Sequence, residues 1–228
     1  MSQTIDGPRL PAASGAAKSL VVFLHGFGAD GNDLIAIGAE WRRLLPDAAF
    51  VSPHAPERCM ASPSGRQWFP LTFRDPDERR RGVIAARPAL DAFLDAELAR
   101  HRLGPDRLAL VGFSQGTMMA LHVGLRRPTP PAAILGFSGM LVSPETVKAE
   151  ATGKPPILLV HGERDDVIPV DALFAATDGL SAAEIPVEWH LAPGLGHGID
   201  GEGLRQGAAF LASALKPRRA SLRSTSQG

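Results

Sequence analysis

The sequence is short of several things that would narrow its class. It has one cysteine, Cys59, in 228 residues, so no intramolecular disulfide can form. Cys59 lies in Pro56-Glu57-Arg58-Cys59-Met60-Ala61, which reads as a loop, and an incidental thiol is the simpler reading than a catalytic one. Net charge is absent as well: 24 Lys and Arg balance 24 Asp and Glu, so nothing points to a nucleic-acid partner. No apolar stretch approaches the 18 residues of a membrane span. The opening residues MSQTIDGPRLPAASGAAKS lack a basic region followed by an apolar one, so no Sec signal is read and the expected location is the cytoplasm. Internal repeats are also missing.

What is present is ordinary for a globular chain, with 44% hydrophobic and 21% charged residues. At about 150 residues per domain, one large domain over 1–216 is expected rather than two small ones. The end of the chain differs from the rest. Lys216, Arg218, Arg219 and Arg223 fall in a Ser-containing stretch without acids, so 217–228 is read as a disordered basic tail.

Short apolar runs alternate with longer amphipathic ones. Strands are expected at 20–24, 48–51, 108–113, 132–137, 157–160 and 187–191. Helices are expected at 33–45, 83–101, 115–126, 170–180 and 203–215, with Pro88 either starting or kinking the second. Residues 54–79, rich in Pro, Ser and Arg, read as a long loop. Continuous apolar strands interleaved with helices predict an α/β fold: a mostly parallel sheet covered on both faces, without a large cap domain.

In open sheets of this kind ligands bind beyond the carboxyl ends of the strands. The strand ending at Phe113 runs into Gly112-Phe113-Ser114-Gln115-Gly116, a Gly-x-Ser-x-Gly between a strand and a helix. The tight turn needs glycines two residues either side of Ser114, and the helix N-terminus behind it favours developing negative charge. A serine hydroxyl needs a base oriented by an acid, expected here in the order Ser, Asp or Glu, His. His161-Gly162-Glu163-Arg164-Asp165-Asp166 follows the next strand but one, and Gly196-His197-Gly198 follows the last. His101 and His122 lie in helices, His54 in a loop and His190 in a strand, so His197, flanked by glycines, is the candidate base. Asp165 and Asp166 compete for the acid, with Glu163 third. The oxyanion needs two backbone donors: the N–H of Gln115, and one from His25-Gly26-Phe27-Gly28-Ala29-Asp30-Gly31, with Phe27 the candidate. That loop also matches Gly-x-Gly-x-x-Gly. It has neither a lysine nor a ribose-binding acid at the expected place, which argues against a nucleotide. No HExxH or CxxC spacing suggests a metal, and no cofactor is expected; His25 and His161 read as buttresses of their loops.

These motifs, with His161-Gly162-x-x-Asp165-x-Val167-Ile168-Pro169, resemble the phospholipase/carboxylesterase family of α/β-hydrolases, which includes bacterial carboxylesterases and acyl-protein thioesterases. The resemblance runs from about Leu20 to Leu215. It implies the α/β-hydrolase fold, with Ser114 as nucleophile, His197 as base and Asp165 rather than Asp166 as acid. It places Phe27 and Gln115 at the oxyanion positions and Trp68 beside an acyl pocket. Homodimers are frequent in the family. Two departures stand out: Gly116-Thr117-Met118 replaces the paired glycines usual after the elbow, and 65–70 differs from the thioesterases' loop.

The expected activity is hydrolysis of short-to-medium acyl esters, with a small-molecule ester as the substrate. Trp68, Phe69, Met140, Leu141, Ile168 and Leu195 are the expected apolar lining, together with Phe27. A thioesterase or lysophospholipase would use the same triad. A non-catalytic binding protein would have no need of all three members. Ser at 114 excludes the aspartate- and cysteine-nucleophile hydrolases.

Overall fold

A computed structural model describes residues 5–72, 75 and 77–216. The expected tail, 217–228, lies outside the described residues apart from its neighbour Lys216. The central sheet has seven strands: β1 (Arg9–Leu10), β2 (Ser19–Leu24), β3 (Ala48–Val51), β6 (Leu108–Phe113), β7 (Ala133–Phe137), β8 (Ile157–Gly162) and β9 (Val187–Ala192). Strands β4 (Glu57–Arg58) and β5 (Arg66–Gln67) form a separate antiparallel pair. The helices are α1 (Asn32–Trp41), α2 (Glu78–His101), α3 (Gln115–Gly124), α4 (Val147–Glu150), α5 (Asp171–Ala182) and α6 (Gly201–Ala214).

The spatial order is β1-β3-β2-β6-β7-β8-β9. Only β1 runs antiparallel to its neighbour; every other pairing in this sheet is parallel. From β2 the chain first moves outward to β3, then returns to lay β6 on the other side of β2. The order therefore reverses between β2 and β6, and in open sheets of this kind ligands bind beyond the carboxyl ends at such a reversal.

The strands are apolar throughout because both faces are covered. Leu20, Val22, Leu24, Leu108 and Leu110 point to one core with residues of α2, α3 and α5. Val21, Phe23, Ala109 and Val111 point to a second core with Leu34 and Trp41 of α1 and Leu211 of α6. This period-two division across neighbouring strands fixes their register, since a one-residue slip would exchange the faces.

Three expectations need correction. The 54–79 stretch is not loop throughout: it contains the β4–β5 hairpin, whose two-residue strands are too short to show a period. The helix expected from Val83 begins at Glu78, because Arg79, Arg80 and Arg81 carry no apolar signal; Pro88 lies inside it. The first helix stops at Trp41 rather than Leu45. Leu44 and Leu45 continue the apolar pattern, but their N–H groups both turn back to the Trp41 carbonyl.

Candidate active site

At the end of β6 the backbone turns sharply. Ser114 has φ 53° and ψ −116°, a conformation that L residues rarely adopt and that costs on the order of 1–3 kcal/mol. Two glycines make the turn possible. A Cβ on Gly112 would stand 2.4 Å from the Thr117 nitrogen, and one on Gly116 would stand 1.8 Å from the Leu24 carbonyl oxygen. The end of β2, the turn and the start of α3 thus touch backbone to backbone. The Ser114 N–H donates to the Phe137 carbonyl at 2.9 Å, tying the turn to β7.

Thr117 stands where the resemblance leads one to expect a glycine. Its Oγ1 donates to the Phe137 carbonyl at 2.9 Å. Room for it comes from the neighbouring strand end, where a Cβ on Gly139 would lie 2.3 Å from the Thr117 Cβ and one on Gly136 would lie 2.5 Å from its Cγ2. The larger residue on α3 is matched by smaller ones across from it.

Asp165 follows β8 and is buried, whereas Asp166 is exposed. Asp165 Oδ1 accepts from the N–H groups of Val167, at 3.0 Å, and Ile168, at 2.8 Å. Its Oδ2 lies 2.8 Å from His197 Nδ1. The carboxylate is therefore fixed by backbone on one oxygen and faces the imidazole with the other. His161 Nε2 also lies near Oδ2, at 3.4 Å, while bonding the Ile168 carbonyl at 2.8 Å. That arrangement makes His161 a prop of the acidic turn. The His197 ring packs against Phe113, the residue before Ser114, with centroids 5.0 Å apart.

The loop carrying His197 is held from two sides. Glu163 accepts from the Gly194 N–H at 2.9 Å, and Ser138 Oγ donates to the Gly198 carbonyl at 3.0 Å. Ser138 itself is fully buried with φ 43°. The sequence reading missed this hydroxyl; the small residues after β7 were its one visible signal.

Gln115 opens α3, so no carbonyl one turn earlier in the helix receives its N–H. Its side chain, wholly buried, accepts from the Trp68 N–H at 2.9 Å and donates to the Phe69 carbonyl at 2.8 Å. The Trp68 indole donates to the His25 carbonyl at 2.9 Å. Trp68 and Phe69 are each 1% exposed. They brace the loops behind the turn and present almost no surface to a ligand in this arrangement. Gly26 lies against Ser114, since a Cβ there would be 3.3 Å from the serine Cβ. Phe27 is half-buried in the same loop. Leu141 and Ile168 are buried and Leu195 is half-buried. Met140, also half-buried, borders a cavity of about 10 Å³ with Thr117, Gly139, His161, Leu173 and Ala176. That volume suits at most one water, so an acyl chain has to displace side chains to enter there. Among the described residues no three His, Cys, Asp or Glu side chains converge as metal ligands would. No helix among them is long and apolar enough to cross a membrane.

His25 holds the loop through both ring nitrogens, one to the Gly26 carbonyl at 2.8 Å and the other accepting from the Ala55 N–H at 3.0 Å. Burial pushes its pKa down to about 4. His122, on α3, is also held near about 4, by burial and by the charges of Arg126 and Arg87, with Glu150 pulling weakly the other way. Unfolded, each ring titrates near 6.5. As pH falls from 6.5 towards 4, the unfolded chain takes up protons that the folded chain refuses, so stability is present above 6.5 and drains away below it. For a ring as buried as His25 the loss approaches about 3 kcal/mol by pH 4. The unfolding midpoint is expected to fall steadily from pH 7 to pH 4.5, and less steeply in His122→Asn. Parallel melting curves for the two proteins would remove His122 from the account.

Comparison with known proteins places the chain. The family model described as Phospholipase/Carboxylesterase matches residues 6–215. The chain belongs to this family. It is an enzyme, a hydrolase of the α/β-hydrolase superfamily, and its sheet is that of the α/β-hydrolase fold. A solved esterase, PE8, shares 50% sequence identity with a TM-score of 0.90, covering 93% of this chain and all of that one. An esterase of Escherichia coli K12, YpfH, is 32% identical over 83% of this chain and 80% of its own. Acyl-protein thioesterase 1 of Gibberella zeae is 29% identical over 91% of this chain and 95% of its own. Family membership supports ester hydrolysis as the class of reaction.

Proposed function

We propose that the chain is a serine carboxylesterase for short-to-medium acyl esters, with Ser114, Asp165 and His197 as its triad. The observation that carries the reading is the 2.8 Å contact between Asp165 and His197, made by an aspartate already anchored on two backbone N–H groups beside the Ser114 turn.

Asp165 holds the imidazole with its Nδ1–H facing the carboxylate, which leaves Nε2 as the base. His197 takes the Ser114 proton as Oγ attacks the ester carbonyl. The N–H groups of Gln115 and Phe27 receive the developing oxyanion. Collapse of the tetrahedral species expels the alcohol, which takes the proton from His197. Water, deprotonated by the same ring, then attacks the acyl-serine and releases the acid.

A second reading is supported by the thioesterase relative: the same groups would cleave an acyl thioester, with a thiol leaving in place of the alcohol. The 50% identity to an esterase favours the oxygen ester.

The test is covalent. A fluorophosphonate probe should add one adduct per chain, mapped by peptide mass spectrometry to Ser114, and p-nitrophenyl butyrate should show a burst of one nitrophenol per site. Rates on p-nitrophenyl esters from acetate to decanoate, set beside a palmitoyl thioester, then order the substrates. An adduct on any other serine, or steady hydrolysis without labelling, rejects the proposed nucleophile. A thioester preferred over every ester selects the second reading.

A further inference from the structure

The side chain of Gln115 is wholly buried, and both ends of its amide bond one short segment. Oε1 accepts from the Trp68 N–H at 2.9 Å and Nε2 donates to the Phe69 carbonyl at 2.8 Å. A single amide thus clamps the chain just beyond β5 onto the first residue of α3. The clamped segment is in turn bonded to the loop after β2. The Trp68 indole donates to the His25 carbonyl at 2.9 Å, and the two rings lie 5.6 Å apart. Two residues earlier, Arg66 exchanges backbone bonds with the same loop. Its carbonyl accepts from the Gly28 N–H at 2.9 Å, and its N–H donates to the Ala29 carbonyl at 2.7 Å. The two segments run backbone against backbone here, since a Cβ on Gly65 would stand 2.1 Å from the Gly28 carbonyl oxygen.

Phe27 lies between these attachments. His25 on one side of it and Gly28 on the other are both held by residues 66–68. The Phe27 N–H belongs to the planar peptide that joins it to Gly26. Fixing the chain on both sides leaves that N–H little freedom to turn.

Resting on the triad reading above, we propose that the Gln115 side chain is a positioning group for both halves of the oxyanion site. Its main-chain N–H is one donor. Its amide, through Trp68 and the segment that carries it, sets where the Phe27 N–H stands relative to the first. Two donors aimed at one oxygen are effective only if their spacing is set before the charge develops. The chemistry of the side chain fits this task. An amide offers an acceptor and a donor side by side, matching the N–H of one residue and the C=O of the next. Glutamate would set oxygen against the Phe69 carbonyl. Methionine, of similar length, would leave both main-chain groups unpaired in a buried place.

Gln115→Met is the first test, because it keeps the main-chain N–H and much of the volume. Active sites are counted by exhaustive fluorophosphonate labelling. Per site, kcat for p-nitrophenyl butyrate should fall about 10- to 100-fold while KM stays within about two-fold. A trifluoromethyl ketone reads the same donors without turnover. Ser114 Oγ bonds its carbonyl carbon, the carbonyl oxygen becomes the oxyanion, and the serine proton passes to His197. Its inhibition constant should rise by the factor by which kcat/KM falls, a match that loosened folding alone would not produce. Trp68→Phe removes the indole N–H and should cost about 10-fold in kcat. The double variant should lose little more than Gln115→Met, because both substitutions act through one chain of contacts. A wild-type chain that is not labelled at Ser114 overturns the triad reading and this inference together. A labelled wild type beside a Gln115→Met chain within about two-fold of its kcat overturns this inference alone. A loss confined to KM, or losses that multiply in the double variant, do the same. If Gln115→Met does not fold, Trp68→Phe decides, and wild-type values of kcat and of the inhibition constant in that variant overturn the inference.

Discussion

Ser114→Ala is expected to lower kcat/KM for p-nitrophenyl butyrate by about 10⁴ to 10⁶ while leaving the fold unchanged. The substitution removes one hydroxyl from a backbone whose positive φ is held by its surroundings, so circular dichroism and melting temperature should stay close to wild type. What remains is the modest acceleration available from substrate binding and from two oxyanion donors that the substitution does not touch. His197→Ala should cost a similar factor. The double variant should be no slower than the slower single one, because base and nucleophile act as a unit. Independent, multiplying losses would mean that Ser114 and His197 do not share a step. A Ser114→Ala chain retaining a tenth of its rate would place the nucleophile elsewhere.

The second large effect is on stability. Gly116→Ala places a methyl carbon 1.8 Å from the Leu24 carbonyl oxygen, with the Leu24 carbonyl carbon at 2.4 Å and the His25 oxygen at 2.8 Å. Every atom in the way is backbone, so no rotamer change relieves the clash. Helix α3 would have to lift off β2, parting contacts at the centre of the sheet. A loss above about 4 kcal/mol is expected, which for a chain of this size lowers the melting temperature by about 10 °C or more. Gly201→Ala is the control. Its nearest neighbour would be the mobile end of Arg205 at 4.0 Å, and stability should stay within about 0.5 kcal/mol. Equal melting temperatures for the two variants would show that the close approach between α3 and β2 is relieved at little cost.

Much of this architecture could be read from residue order, and the reasons are physical. Strands buried on both faces announce themselves as unbroken apolar runs, as at Leu20–Leu24 and Leu108–Val111. Residues just beyond their ends then fall on one edge of the sheet, which is how Ser114, Asp165 and His197 came together on paper. The choice between Asp165 and Asp166 was different. One step along a loop turns a side chain from the interior to solvent, and composition carries no trace of that; only the family resemblance favoured Asp165. The β4–β5 hairpin was invisible because two residues make no pattern. Gln115 was noted for its N–H, yet its amide also ties down Trp68 and Phe69. That tie spans 47 residues of sequence, beyond the reach of any local signal.

The contact between Gly116 and the Leu24 carbonyl has a consequence for how the chain can vary. At this contact the spacing between the end of β2 and the start of α3 is set by backbone against backbone, since no side chain lies between Gly116 and the Leu24 carbonyl. Core residues elsewhere can be exchanged, and the sheet can drift as they change, without altering that gauge. Relatives that agree at only about a third of their positions can therefore carry the same working distance, inherited through one missing methyl group, at Gly116.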